Sequence, residues 1–329
     1  MAVSSKEKFN QGPESLGQRE QLAPGYLVGL DIGGTKTAVL VVDRAMNVLG
    51  RGTAATVVTD PQALVDGIYN AVAQTLAKSG RTTAGLLAAG AGVPGMVDPH
   101  TGMVRLAVNL NLEKFPLGPA LSERLGVPVA LENDVRAASL GAYRWINDQT
   151  PVRYMAYLSI GTGISAGLVV DGRIYRGTQG MAGEIGHVIF EPQGPLCRCG
   201  LHGCFEAISA GPAIARHYGA GDGTAESVFL AAEQGDPAAL AAIEQAAEGV
   251  ARAVQLLVMA YDVDKVVLSG GVLSAGDAFL RPINESLARM REQSGLAARM
   301  LVPDKVIAAP READVARWGA VLLAQAALE

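Results

Sequence analysis

The chain has 329 residues, more than a single hydrophobic core usually organises, so two packed lobes are expected. Hydrophobic residues make up 49 % and charged ones 18 %, a globular composition, and no run of about 18 or more apolar residues marks a membrane span. A formal net charge of -5 leaves no basic footprint, which excludes nucleic acid and acidic membrane surfaces as expected partners and points to a small molecule.

Residues 1–25 are polar, carry no apolar signal core and read as a disordered tail, which predicts a cytoplasmic protein. From Tyr26 an apolar run, a Gly-rich turn and a β-branched run ending at Asp43 predict a hairpin of buried strands. A helix is expected over 61–79, a strand over 84–92, a loop over 93–115, a helix over 119–125 and a strand over 127–131. A further helix runs from the Asn133-Asp134 junction through Trp145. Strands alternating with helices predict an α/β architecture. Further on, helices are expected over 207–218, 225–233 and 237–261. A strand over 265–268 then enters Ser269-Gly270-Gly271, and a last helix covers about 314–327.

The first hairpin recurs. Ile32 to Asp43 and Ile160 to Asp171 align without gaps at an offset of 128, with seven of twelve positions identical. A shared apolar strand pattern accounts for part of this, but the common turn glycine, alanine and terminal aspartate favour a duplicated lobe. Two related lobes imply a cleft between them, a usual place for ligands. The lobes are expected over 26–135 and 136–313, with the helix over 314–329 packing back on the first.

Both recurrences carry glycines after a buried strand: Asp31, Gly33, Gly34, Thr35 and Lys36 in the first, Gly161, Thr162 and Gly163 in the second. Glycine lets backbone N–H groups approach phosphate oxygens closely. The spacing is not that of a Walker A loop, and a strand follows where a helix should. One such turn alone needs no ligand; a pair across a cleft reads as two phosphate cradles. Asp31 either holds Mg²⁺, directly or through water, or bonds its own turn.

Cys197, Cys199 and Cys204 fall within eight positions, a spacing that suits a metal in a reducing compartment better than a disulfide framework. With His187 they make a Cys₃His set, the stoichiometry of a structural Zn²⁺ site. His202 is a rival fourth ligand, whereas His100 and His217 read as ordinary surface or helix histidines. Asp134 follows Glu132-Asn133 at a strand-to-helix junction, where aspartate is also a favoured helix N-cap.

The Asp-Ile-Gly-Gly-Thr-Lys-Thr start resembles the first phosphate segment of the actin-like ATPase and sugar kinase superfamily. Gly161-Thr162-Gly163 resembles its second phosphate segment, and Ser269-Gly270-Gly271-Val272 its adenosine segment. The run Gly183-Glu184-Ile185-Gly186-His187, followed by Cys197-x-Cys199-Gly-x-x-Gly203-Cys204-x-Glu206, resembles the signature of ROK sugar kinases. The resemblance implies two duplicated lobes of the ribonuclease H-like type and MgATP across the two glycine turns. It also implies a hexose held by Asn133, Asp134, Glu184, His187 and Glu206, with Gly95 and Asn109 as further sugar contacts. Asp134 would accept the proton of the attacking hydroxyl. Glucose, phosphorylated on its 6-hydroxyl, is the commonest acceptor in the family. N-acetylmannosamine, N-acetylglucosamine, fructose and allose are alternatives, as is polyphosphate for the donor. A homodimer or homotetramer is implied as well. The sequence departs from the family pattern at Leu112 and Arg136. The family also contains sugar-sensing repressors, but 25 polar residues cannot make their helix-turn-helix. A zinc-ribbon binding module would need a second ligand pair and a basic surface, and neither is visible.

Overall fold

A computed structural model describes residues 25–219 and 223–328; the expected N-terminal tail lies outside them apart from Gly25. Strands β1 (Tyr26–Ile32), β2 (Lys36–Asp43) and β3 (Val48–Ala55) form an antiparallel meander, and helix α1 (Pro61–Lys78) crosses to β4 (Leu86–Val93), parallel to β1. Asp60 starts α1 by accepting the Ala63 N–H at 2.8 Å, with Pro61 at the first helical position. Its Leu64, Ile68, Val72 and Leu76 recur at helical spacing and bury one stripe against the sheet.

A small antiparallel sheet of β5 (Met96–Asp98), β6 (Met103–Ala107) and β7 (Leu112–Phe115) follows, where the sequence predicted only a loop. Its strands are three to five residues long and too short to show a period. Helix α2 (Leu117–Leu125) leads to β8 (Val129–Asn133), parallel to β4, and α3 (Asp134–Asn147) leaves the end of that strand.

The second lobe starts with β9 (Tyr154–Ile160), β10 (Ile164–Val170) and β11 (Arg173–Tyr175), again antiparallel. Helices α4 (Phe205–Ser209), α5 (Gly211–Tyr218), α6 (Ala225–Glu233) and α7 (Pro237–Tyr261) precede β12 (Lys265–Ser269). Then come α8 (Asp277–Gln293), α9 (Gly295–Met300), β13 (Val306–Ala308) and α10 (Val315–Ala326). The single helix expected over 207–218 is two, separated at Ala210, whose extended backbone (ψ 162°) interrupts the helical run. Neither β3 nor β11 was predicted, and α8 and α9 went unassigned, because their turn residues and mixed polarity hide the period.

The two sheets have the orders β3-β2-β1-β4-β8 and β11-β10-β9-β12-β13, the same topology twice. The duplicated α/β fold expected from the repeat is therefore present. The ungapped alignment is nevertheless one residue out of register. Ile32 pairs with Thr37 across the first turn, whereas Ile160 pairs with Ile164 across the second, which is one residue shorter. Some of the seven identities thus reflect what any doubly covered strand requires. The main cores form on separate sheets, one around β1, β4 and α1 and the other around β9, β12 and α7. Helix α10 packs on β1, β4 and α3, burying Val321 and Ala324 with Leu27, Leu40 and Val42. The boundary expected at 135/136 falls inside α3, so a helix and not a linker leads from the first sheet to the second.

Candidate active site

Asn133 ends β8 beside Val93 of β4 and caps α3, its Oδ1 accepting the N–H groups of Val135 and Arg136, each at 3.1 Å. Asp134, the capping candidate in the sequence, is instead the first helical residue. Its Oδ1 accepts from Val135 N at 2.9 Å and Asn133 Nδ2 at 3.0 Å, which leaves Oδ2 to the cavity beyond. Burial holds the Asp134 carboxyl above the ordinary aspartate range. Asp31, near the end of β1 in the same sheet, is pushed up to about 6 by burial first and by the Asp134 charge second. Lys36 and Arg317 pull it back.

Opposite stands the segment after β11. Gly183 O accepts the Ala166 N–H at 2.8 Å, fixing the chain just before Glu184 and the short turn Ile185–His187. Glu206, in the first turn of α4, accepts from Ile164 N at 3.2 Å and from Arg198 Nη2 at 3.3 Å. It thereby meets the second glycine turn from the side facing Gly163.

Gly95, Asn133, Asp134, Glu184, His187 and Glu206 line one cavity of about 470 Å³. Gly95 has φ +94°, and a Cβ there would collide with the Leu106 carbonyl, so the close turn at the rim admits glycine alone. Its own carbonyl accepts from Asn133 Nδ2 at 3.2 Å. Asn109 is not in this wall. It is exposed, in the turn Val108–Leu110, with its carbonyl 2.6 Å from where a Gly34 Cβ would stand.

A second cavity of about 650 Å³ is lined by Gly161, Thr162 and Gly271, with Thr224, Phe229 and Arg311 among its other walls. Gly270 precedes it at φ +109°. Gly33, Gly34, Thr35 and Lys36 belong to the other lobe and do not line this cavity. Thr35 and Lys36 are exposed at the tip of the first turn.

The ligand atoms of His187, Cys197, Cys199 and Cys204 lie within 4.8 Å of one another. His187 Nδ1 is 3.6 Å from Cys197 Sγ, and the sulfurs of Cys199 and Cys204 are 3.6 Å apart. Such separations fit four ligands about one tetrahedral Zn²⁺ with bonds of about 2.0–2.3 Å. Burial pushes the Cys204 thiol up to about 12, so a metal ion binding there would have to displace its proton. His202 is outside the cluster and bonds the Gly194 carbonyl at 3.0 Å. His217 bonds the Ile208 carbonyl from α5, and His100 is exposed.

Sequence reasoning passed over several residues that complete the walls, among them Arg105, Ser165, Gln179, Met181 and Arg198. It also gave Glu132 no role, although a charged residue at the end of a doubly covered strand was a signal that could have been used. Leu112, one of the departures from the family pattern, is 2 % exposed in the first core, and Arg136, the other, bonds Glu132 at 2.8 Å.

The ROK family profile matches residues 27–327. A glucokinase of Halalkalibacterium halodurans is 32 % identical over 279 residues, covering 79 % of this chain and 84 % of that protein. Among solved structures, a ROK hexokinase from Thermus thermophilus superposes with a TM-score of 0.78 at 32 % identity, covering 92 % of this chain and 98 % of the other. A ROK family glucokinase from Streptomyces griseus, in complex with glucose and AMPPNP, gives 0.72 at 31 % identity, covering 92 % and 100 %. With the duplicated sheets, the paired cavities and the Cys₃His cluster already in place, this match along nearly all the described residues identifies the chain as a member of the ROK family.

Proposed function

We propose that the protein transfers the terminal phosphoryl group of ATP to a hexose, with glucose as acceptor and glucose 6-phosphate as product. The observation that carries this is the convergence of Gly95, Asn133, Asp134, Glu184, His187 and Glu206 on one cavity. Similarity to glucokinases, one of them solved with glucose and AMPPNP, supports both substrates.

Asp134 is the base. Its Oδ1 is held by two donors, so Oδ2 is free to accept the proton of the attacking hydroxyl, and its raised pKa makes it a better acceptor than a solvated aspartate. Asn133 spends one amide hydrogen on Asp134 Oδ1 and so positions the base, and it would reach a neighbouring hydroxyl by giving up its 3.2 Å bond to the Gly95 carbonyl, while Glu184 and Glu206 accept from others. Zn²⁺ held by His187, Cys197, Cys199 and Cys204 would brace this wall. The bond geometry aims His187 Nδ1 at the cluster and leaves Nε2 for a sugar hydroxyl. The nucleotide fits the larger cavity, with its phosphates running from Gly161, Thr162, Gly163 and the Gly270-Gly271 turn toward Gly33, Gly34, Thr35 and Lys36. A buried carboxyl raised to about 6 is relieved by a nearby cation, and Asp31 would meet the Mg²⁺ that accompanies ATP. The walls belong to lobes spanning 26–135 and 136–313, whose closure would exclude water from the transfer.

The deciding experiment is coupled ADP release from MgATP by the zinc-loaded protein against a hexose panel. Turnover dependent on glucose supports the proposal; hexose binding with no ADP release from any member of the panel would sink it in favour of a sugar sensor.

A further inference from the structure

Glu132 stands one residue before the junction, with its side chain 0 % exposed and both carboxylate oxygens engaged. Oε1 accepts from Arg136 Nε at 2.8 Å and from the Asn133 backbone N–H at 2.9 Å, which staples the end of β8 to the first turn of α3. Oε2 accepts from Arg176 Nε at 2.7 Å. Arg176 comes from the other lobe, directly after β11. Its carbonyl accepts the Ala182 N–H at 3.1 Å and so closes the loop 177–182. That loop supplies Gln179, Gly180 and Met181 to the cavity, and Glu184 follows two residues later.

One buried carboxylate thus joins the backbone beside the base to the opposite wall of the sugar cavity. A charge this deeply placed persists only when fully paired, and here the pairing runs from the end of β8 in the first sheet to the end of β11 in the second. We infer that Glu132 and Arg176 form a latch between the lobes, two positioning residues that hold the 177–182 loop in the shape the sugar needs. The inference rests on the proposed sugar kinase function and adds residues that touch neither reacting atom. A loop already ordered loses less freedom when the sugar arrives, so the latch acts on sugar affinity and leaves the chemical step nearly unchanged.

The test compares wild type with Arg176→Met, Arg176→Lys and Glu132→Gln, reading steady-state kinetics and, separately, calorimetric binding of glucose and the other hexoses without nucleotide. Arg176→Met should raise the sugar KM and Kd by about 10- to 100-fold while kcat and the KM for ATP stay within about 3-fold. Lysine, a point charge on a flexible stem, should restore part of the affinity. Combining Glu132→Gln with Arg176→Met should weaken binding by no more than about 2-fold beyond Arg176→Met alone, since the amide oxygen can keep the bonds from Arg136 and Asn133 while its NH₂ takes the place of the Oε2 that Arg176 no longer meets. Arg176 is 36 % exposed, so its truncation leaves no sealed cavity, and the two Arg176 variants decide the question even where Glu132→Gln lowers stability. An unchanged sugar Kd in Arg176→Met overturns the latch, as does a fall in kcat with Kd unmoved. A wild type that binds hexose without releasing ADP overturns the kinase proposal alone, and the variant Kd values still judge the latch.

Discussion

His187 Nδ1 lies 3.6 Å from Cys197 Sγ while His187 also lines the cavity that Asp134 enters, so one residue belongs to both the Cys₃His cluster and the wall of the proposed sugar site. Zinc retention and sugar binding are therefore expected to fail together. Stripping the metal with a chelator, or replacing Cys204 by serine, should lower the melting temperature and weaken glucose binding by at least about 10-fold, as loss of a metal-ordered ligand does. Zinc content, melting and calorimetric Kd measured on one preparation check this. Full sugar affinity in the metal-free protein would contradict it.

Replacing Asp134 by alanine or asparagine removes the proposed proton acceptor but leaves the Asn133 cap in place. The kcat should fall by about 100- to 10,000-fold, the usual contribution of a positioned base, with sugar Kd changed far less. Because the wild-type carboxyl is held above its ordinary range, the acid limb of kcat/KM should also lie above pH 3.8. Parallel losses of kcat and binding would instead mark Asp134 as a binding group.

Asp31 tests a conflict between stability and function. Its folded-state pKa, about 6, exceeds the ordinary 3.8, so the folded protein holds the proton more tightly than the unfolded chain does. The resulting stabilisation is complete below pH 3.8 and lost by the time pH has risen through 6. Asp31→Asn removes the buried charge. Without nucleotide at pH 8 it should stabilise the protein by about 1–3 kcal/mol, little at pH 4, while activity collapses. Denaturant melts at the two pH values measure the difference, and a destabilised variant at pH 8 would refute the prediction.

Gly95→Ala should harm both stability and sugar binding. The backbone at φ +94° costs an L-residue about 1–3 kcal/mol, and the added methyl meets the Leu106 carbonyl. A lower denaturant midpoint with a raised sugar KM is expected; unchanged values would mean that the β5–β6 hairpin yields freely.

Much of the fold is written locally. Strands such as β1 and β4 are near-continuous apolar runs because both of their faces are covered, and α1 carries its cap, its proline and its buried stripe within one segment. The Cys₃His set was legible because three of its four ligands lie within eight residues, a distance over which the chain itself brings them together. Asp134 and Asn133 were legible as a junction, but capping was weighed there only for Asp134, and the structure gives it to Asn133. Both side chains can cap, and only the last residue of β8 determines which of them does.

The sequence by itself determined the α/β repeat, the family signature, a Cys₃His set that comes together in space, and six residues that line one cavity. Only the tertiary structure decided that β5, β6 and β7 form a sheet, that Asn109 stands at Gly34 and not in the wall of the cavity that Asp134 lines, and that Glu132 reaches Arg176 from 44 positions away. Periodicity and capping act within a few turns of chain and leave a local trace. A contact between lobes depends on how two separately formed sheets pack, and no local pattern encodes that distance.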